Sequence, residues 1–388
     1  MDSKLREVTF FIGYLFLILF NFIGNTTLIL VFPSIIPIIK FLDILAILIL
    51  LVKIFILDKI NAIYIYFIIV IGIIIFITTL SSKSWDLIDA FIVIVAANNV
   101  SLKKIFKFSL ITVASLLCFT ITLSYLNIIP NLIYYRNGIY RQSLGVGYTT
   151  ILSSMLFYIL ISFFALKSFS SKKHLIIVPV IVLIISLYLY QLTDTRTDLI
   201  CEILLIISYF LSDNILKNKI FNGFICVFPT FIGLWSLFST YLYDSLNHTW
   251  NNLDYIFSYR LSLANQASIM YPAKLFGQYF IQMGNGFTTN FTNYYFYIDN
   301  SFMRIYFMNG IIAFLLFFVF MQIMFIKVIK MRNSTYTRLL VLFCIASIEG
   351  LFSSLYLSIG INSILFLFKM LLTINKKENH SFDLKKEI

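Results

Sequence analysis

The sequence predicts an all-α, polytopic integral membrane protein, and three observations predict it. Of its 388 residues, 60% are hydrophobic and only 12% are charged. A mean hydropathy of +0.94 implies more apolar surface than a soluble domain of this size can hide. The apolar residues form continuous runs rather than short alternating segments, which sets aside the β-barrel solution. Lys and Arg also collect in every second connection, as orientation in a bilayer requires.

Taken in order, the apolar runs lie near 8–24, 34–56, 61–79, 85–99, 105–126, 147–166, 174–192, 198–213, 219–240, 301–326, 336–357 and 359–375. At roughly 20 residues per crossing that is about twelve transmembrane helices. The runs at 85–99, 198–213 and 359–375 are short, so tilt or re-entry is expected there. The first run follows Lys4 and Arg6 with no small-residue cleavage site, and reads as a retained span. With the N-terminus inside, alternation places Lys53, Lys59, Lys103, Lys104, Lys107, Lys167, Lys217, Lys219, Lys327, Lys330 and the C-terminal lysines in the cytoplasm. Both termini are then cytoplasmic, and the chain is one transmembrane domain over 1–388 with an outer loop at 127–146 and a large one at 241–300. The net charge of +12 is thereby an orientation signal and calls for no nucleic acid. Cys118, Cys201, Cys226 and Cys344 all sit in apolar runs and read as small core hydrophobes. No nucleotide, dinucleotide or metal-ligand fingerprint is present, so neither cofactor nor metal is expected.

The outer side carries Arg136, Arg141, Arg196, Arg260 and Arg304 against only Lys83 and Lys274, whereas the cytoplasmic side is dominated by Lys. Topology does not demand Arg there. Its planar fork suits phosphate or carboxylate, and its charge survives partial burial. An anionic ligand at the outer leaflet is one explanation; pairing with Asp194, Asp198, Asp254 and Asp299 is the other. Ahead of the sixth span, Arg141 precedes Gly145 and Gly147, glycines that would let backbone N–H groups approach an anion, although such a pair is most often a plain turn. Between the seventh and eighth spans, Asp194 and Arg196 share a short connection, followed by Asp198 and Glu202 one turn apart. Residues 253–271 fit one amphipathic helix, with Leu253, Ile256, Phe257, Ala264 and Ala267 on its apolar face and Arg260 projecting from the middle of that face. Such an arginine either snorkels toward headgroups or meets an anion in a cavity. His248, the loop's only histidine, is a candidate proton carrier, although a histidine in a polar loop is more often merely exposed. Within the second span, Lys40 and Asp43 are spaced to pair on one helix face.

Four places in the chain resemble the Wzy-type polysaccharide polymerases of bacterial capsule, exopolysaccharide and O-antigen-like assembly. They are Arg141 with Leu144 and Gly145; Thr195, Arg196 and Thr197; Arg260 and Leu261 with Leu275, Phe276 and Gly277; and Asp299, Asn300, Ser301 and Phe302 with Asn309 and Gly310. The resemblance implies a metal-independent glycosyltransferase in the bacterial plasma membrane. It would pass a growing glycan from undecaprenyl pyrophosphate onto a lipid-linked oligosaccharide repeat at the outer leaflet. The flippase and chain-length regulator of the same pathway are the implied protein partners. Arg196 and Arg260 would act on the pyrophosphate leaving group, with Arg136, Arg141, Gly145, Asp194, Lys274 and Arg304 around the substrate. Asp299 and His248 are the candidate bases, with Asp194 behind them. Two other readings remain: a ligase of the O-antigen type, and a lipid-linked oligosaccharide flippase or other transporter. A flippase is expected to have short loops on both faces and charges along a central cavity.

Overall fold

The computed structural model describes residues 3–58, 60, 62–136, 138–169, 176–284, 286–288 and 295–372. The basic residues Lys59, Lys172, Lys173, Lys376, Lys377, Lys385 and Lys386 lie outside the described residues. The helices in chain order are α1 (Ser3–Ile23), α2 (Leu28–Val31), α3 (Ile35–Val52, continued as a π turn over Lys53–Leu57), α4 (Ala62–Ser82), α5 (Asp86–Ala96) and α6 (Leu102–Tyr125). A two-stranded antiparallel hairpin follows, β1 (Ile133–Arg136) and β2 (Ile139–Gln142). Next come α7 (Thr149–Ser168), α8 (Ile177–Thr193), α9 (Arg196–Tyr209), α10 (Asp213–Lys217) and α11 (Lys219–Leu242). The long loop holds α12 (His248–Ile256) and α13 (Arg260–Met270), and after it stand α14 (Ser301–Arg304), α15 (Ile311–Lys330) and α16 (Ser334–Glu349).

Among the described residues seven helices are long and apolar enough to cross a membrane: α1, α3 with its π turn, α4 from Tyr64, α6, α7, α11 and α15. Five expected spans fall outside the seven: α8 is an apolar helix of 17 residues and α16 a helix of 16, and the other three are the short runs at 85–99, 198–213 and 359–375. α5 has 11 residues, about 16 Å of helix, and reaches only part of the way through a hydrocarbon core of about 30 Å. In the loop beyond it, the carbonyls at Asn98 and Val100 accept from the buried Lys53 and Lys369 ammonium groups. α9 is likewise short, at 14 residues. The expected run at 301–326 is broken: α14 passes through a π turn (Ile305–Asn309) and stops at Gly310, whose φ is +97°.

The expected span at 359–375 departs furthest. After α16 the chain runs as 3₁₀ turns (Ser354–Leu357 and Ser363–Leu371) joined by irregular backbone, and nearly all of it is buried. Its sequence explains the loss of α-helix, because Ser353, Ser354, Ser358, Gly360 and Asn362 favour turns and compete for backbone groups. Non-helical backbone is tolerated inside a membrane protein only where protein or water satisfies it. Here protein does so: Tyr14 OH donates to Ile359 O at 3.3 Å and Asn362 Nδ2 to Tyr356 O at 2.7 Å, while the Ser363 hydroxyl meets that of Ser162 at 2.8 Å. A Cβ on Gly360 would stand 3.1 Å from the α1 backbone at Ile18 Cα, so glycine permits this close passage.

The Lys40–Asp43 pairing is corrected. Lys40 is exposed, while buried Asp43 has an Oδ1 without a hydrogen-bond partner and lies near Asp86 and Asp89. The two ends of the bundle differ. One end carries the hairpin, the α8–α9 turn and the long loop, and is called the loop face below. The other end carries the Lys53–Asp58, Lys104–Glu7 and Arg338–Asp213 pairs.

Candidate functional site

Two groups of arginines meet on the loop face. The first is built on the hairpin and the α8–α9 turn. Asp194 takes a left-handed conformation, with φ of +48°, which turns the chain between the two helices. Its carboxylate accepts from Arg136 Nη2 at 3.2 Å and faces Arg196 Nε at 3.9 Å. For these two arginines, pairing with a carboxylate is therefore what the geometry shows, and Arg196 remains largely exposed. Arg141 differs. It is 1% exposed, donates from Nε to Thr193 O at 2.6 Å, and lies with its guanidinium carbon 5.8 Å from the centre of the Tyr148 ring. Its Nη2 has no partner. Burial, aided by Arg136, presses its pKa below the ordinary arginine value.

The second group stands on the long loop. The single amphipathic helix expected over 253–271 is two helices, because Ser258 and Tyr259 both take positive φ and break it after α12. Asp254 repairs the break by accepting the N–H groups of Leu261 and Ser262, at 2.9 and 3.1 Å. Arg260 thus sits at the first position of α13, not mid-face along one helix. Its Nη2 donates to Phe352 O at 3.1 Å, its guanidinium lies over the Phe352 ring, and its Nε is 3.4 Å from Asp299 Oδ2. Burial pushes the Asp299 carboxyl above the usual carboxylate range, and Arg260 and Arg304 partly offset the rise. Arg304 lies over the Tyr297 ring, with its Nη1 buried and unpartnered.

The motif around Asp299 is held from below. Asn300 Oδ1 caps α14 through the N–H groups of Phe302 and Met303, and Ser301 N donates to Gly350 O at 2.8 Å. The Leu275–Gly277 and Asn309–Gly310 stretches, far apart in sequence, are joined. Gln278 N donates to Met308 O at 2.9 Å, and Ile311 N to Lys274 O at 3.1 Å. The two arginine groups also share an edge. Phe287 N donates to Gly147 O at 2.8 Å, and Tyr295 lies within electrostatic reach of Tyr148, Asp299 and Arg260. The long loop therefore rests on the turn that follows the hairpin.

Three sequence candidates fall elsewhere. His248 opens α12, is exposed, and meets Asn252 Nδ2 through Nε2 at 3.2 Å. The Lys274 side chain is exposed. Gly145 is buried, with φ of +85°, and a Cβ there would stand 2.8 Å from Ile129 Cδ1. The N–H groups around it are already donated within the protein, from Ser143 to Leu132 O, Leu144 to Asn131 Oδ1, Val146 to Ser143 O and Gly147 to Asn25 O. With these N–H groups taken, the stretch fits the plain turn that such a glycine pair most often makes.

Sequence reasoning undervalued the layer below. Ser154 of α7 lies between Asp198 of α9 and Glu349 of α16, all three buried. The available signal was an acidic residue inside each of two apolar runs. Among the described residues, no group of three His, Cys, Asp or Glu side chains is suited to a metal ion. The loop face offers instead buried guanidinium donors without partners at Arg141 and Arg304, and at Asp299 a carboxyl that burial raises above the usual carboxylate range. No family model, curated protein or solved structure matches this chain.

Proposed function

We propose that the chain is a polysaccharide polymerase: a membrane glycosyltransferase that moves a growing glycan from undecaprenyl pyrophosphate onto a lipid-linked oligosaccharide repeat, with the loop face outside the cell. The observation that carries this reading is the set of buried guanidinium nitrogens without a hydrogen-bond partner on the loop face, Arg141 Nη2, Arg260 Nε and Arg304 Nη1. A buried donor left unsatisfied is costly and uncommon in native proteins. An anion that reached them would satisfy them, and a pyrophosphate has the charge and the number of acceptor oxygens to serve several donors.

In this mechanism the acceptor hydroxyl oxygen forms a bond to the anomeric carbon of the donor glycan. The bond from that carbon to the pyrophosphate oxygen breaks, and its electron pair leaves with the pyrophosphate. Arg141, Arg260 and Arg304 stabilise the charge that develops on the departing group. Arg136 and Arg196, already tied to Asp194, flank the entrance. The hydroxyl proton passes to Asp299, which lies beside Arg260 and Arg304. His248 stands exposed on α12 and is the weaker base candidate.

Transport of a lipid-linked oligosaccharide is the second reading, and the broken segment after α16 together with the buried Asp198 and Glu349 favours it. The glycan profile of a deletion strain separates the two. Loss of a polymerase leaves single repeats still delivered to the outer leaflet, whereas loss of a transporter strands them on the inner one. Long chains of normal yield would remove both readings.

A further inference from the structure

The geometry beneath Arg260 points to a proton-controlled charge: we propose that Asp198 and Glu349 share one proton, and that its presence sets how strongly the loop-face arginines hold an anion. This rests on the anion-binding reading above and adds the regulation of that site.

The argument begins with one hydroxyl. Ser154 Oγ is 2.7 Å from Glu349 Oε1 and 3.2 Å from Asp198 Oδ1. A serine has one proton to donate, so it serves one ionised carboxylate well, and its second contact is favourable when the other carboxyl donates to it. Asp198 is 2% exposed and Glu349 is 0% exposed, and Glu349 Oε2 has no partner. Two ionised carboxylates at this depth would repel one another in a medium that screens poorly. One shared proton removes the conflict, as it does in other close carboxyl pairs.

The surroundings supply no local counter-charge. α7 presents Tyr158 along with Ser153 and Ser154, α9 presents Cys201 and Glu202, and the turn after α16 presents Tyr356. Among the described residues no cation forms an ion pair with either acid. The cation whose field reaches both is Arg260, which faces Asp299 on its other side. Arg260 therefore stands between two acidic groups. With the shared proton in place, the pair carries a single negative charge and leaves more of the Arg260 field to an anion at the loop face. Loss of that proton adds a second negative charge behind Arg260, draws the guanidinium inward and cancels part of its field. Anion affinity then falls as pH rises. Asp299 ionises over the same direction of pH and contributes its own share, so the two must be separated by substitution.

The test uses the purified full chain in lipid nanodiscs and P1,P2-dimethyl pyrophosphate, a diester whose charge is constant across the neutral range. Its affinity for the wild type is expected to fall on the order of tenfold as the pair loses its proton. The fall should flatten in Glu349→Gln and persist in Asp299→Asn. Infrared spectra give a second readout that needs no ligand: the wild type should show a protonated-carboxyl band that Glu349→Gln lacks and Glu349→Asp shifts. An unchanged pH slope in Glu349→Gln, or the same band in wild type and both variants, overturns the proposal. If the diester binds at no pH, the anion site itself is wrong, and the infrared comparison still decides whether the proton is shared. If Glu349→Gln does not fold, Glu349→Asp carries the infrared comparison alone, and an unshifted band overturns the shared proton.

Discussion

Arg260 is held on several sides at once: by the Phe352 carbonyl and ring, by the Phe257 carbonyl and by Asp299. A lysine there would keep the charge but lose the fork that reaches these partners and an anion together. Arg260→Lys is therefore expected to cut polymer yield by on the order of a hundredfold, the usual effect of removing one preorganised donor. Immunoblotting of the membrane fraction should show unchanged protein. At Asp299 the relevant change is in pH. Burial raises this carboxyl above the usual carboxylate range, so its base form appears only at correspondingly higher pH. Transfer rate should rise with pH through that ionisation, and Asp299→Asn should remove the rise; a rate profile of the purified protein checks both. Residue type and sidedness made the arginines and Asp299 legible in the sequence. A Gly-x-Gly pattern does not reveal that the N–H groups of Val146 and Gly147 are already donated to Ser143 and Asn25. Nor could residue type show that Ser154 lies between two acids separated from it by 44 and 195 positions.

Helical periodicity read α13 and α12 as one element, and the reason it failed is local. Ser258 and Tyr259 adopt positive φ, a conformation that hydrophobic phasing does not register and that Asp254 stabilises from within the turn. The segment after α16 misled for a related reason. It is as apolar as a span and as buried as one, so hydropathy cannot separate it from a helix, while its Ser, Gly and Asn content could have. The joint between the long loop and α15 is open to a direct check. A Cβ on Gly277, whose φ is +81°, would stand 1.9 Å from Met308 O. Gly277→Ala should lower stability by roughly 2 kcal/mol or more, read as a reduced thermal midpoint in detergent. Gly138→Ala is its control, since φ is also positive there but no atom lies within 4 Å of the added carbon. That variant should bear the backbone strain alone.

At the scale of the whole molecule, the apolar runs and the distribution of charge identified a multi-pass membrane protein, and among its described residues seven helices have sufficient length and hydropathy. The three runs expected to tilt or re-enter, at 85–99, 198–213 and 359–375, are the ones that form the short α5 and α9 and the irregular segment after α16; that the last takes hydrogen bonds from neighbours is a tertiary effect that no window of sequence contains. Orientation can be measured independently. A reporter fused at Gly138, in the open turn of the hairpin, should be active only when placed outside the cell; cytoplasmic activity would reverse the topology.

The irregular segment after α16 also constrains the order of assembly. Helices can enter lipid one at a time because each satisfies its own backbone, but this stretch cannot, since its backbone groups would meet hydrocarbon unpaired. It must be received by a slot already walled by α1, α7 and α16, whose Tyr14, Ser162 and Ser347 contribute polar groups facing it. A nascent chain stopped after Glu349 should accordingly insert its earlier helices yet remain open at the centre. Faster proteolysis of the stopped chain than of the full one would reveal the vacant slot.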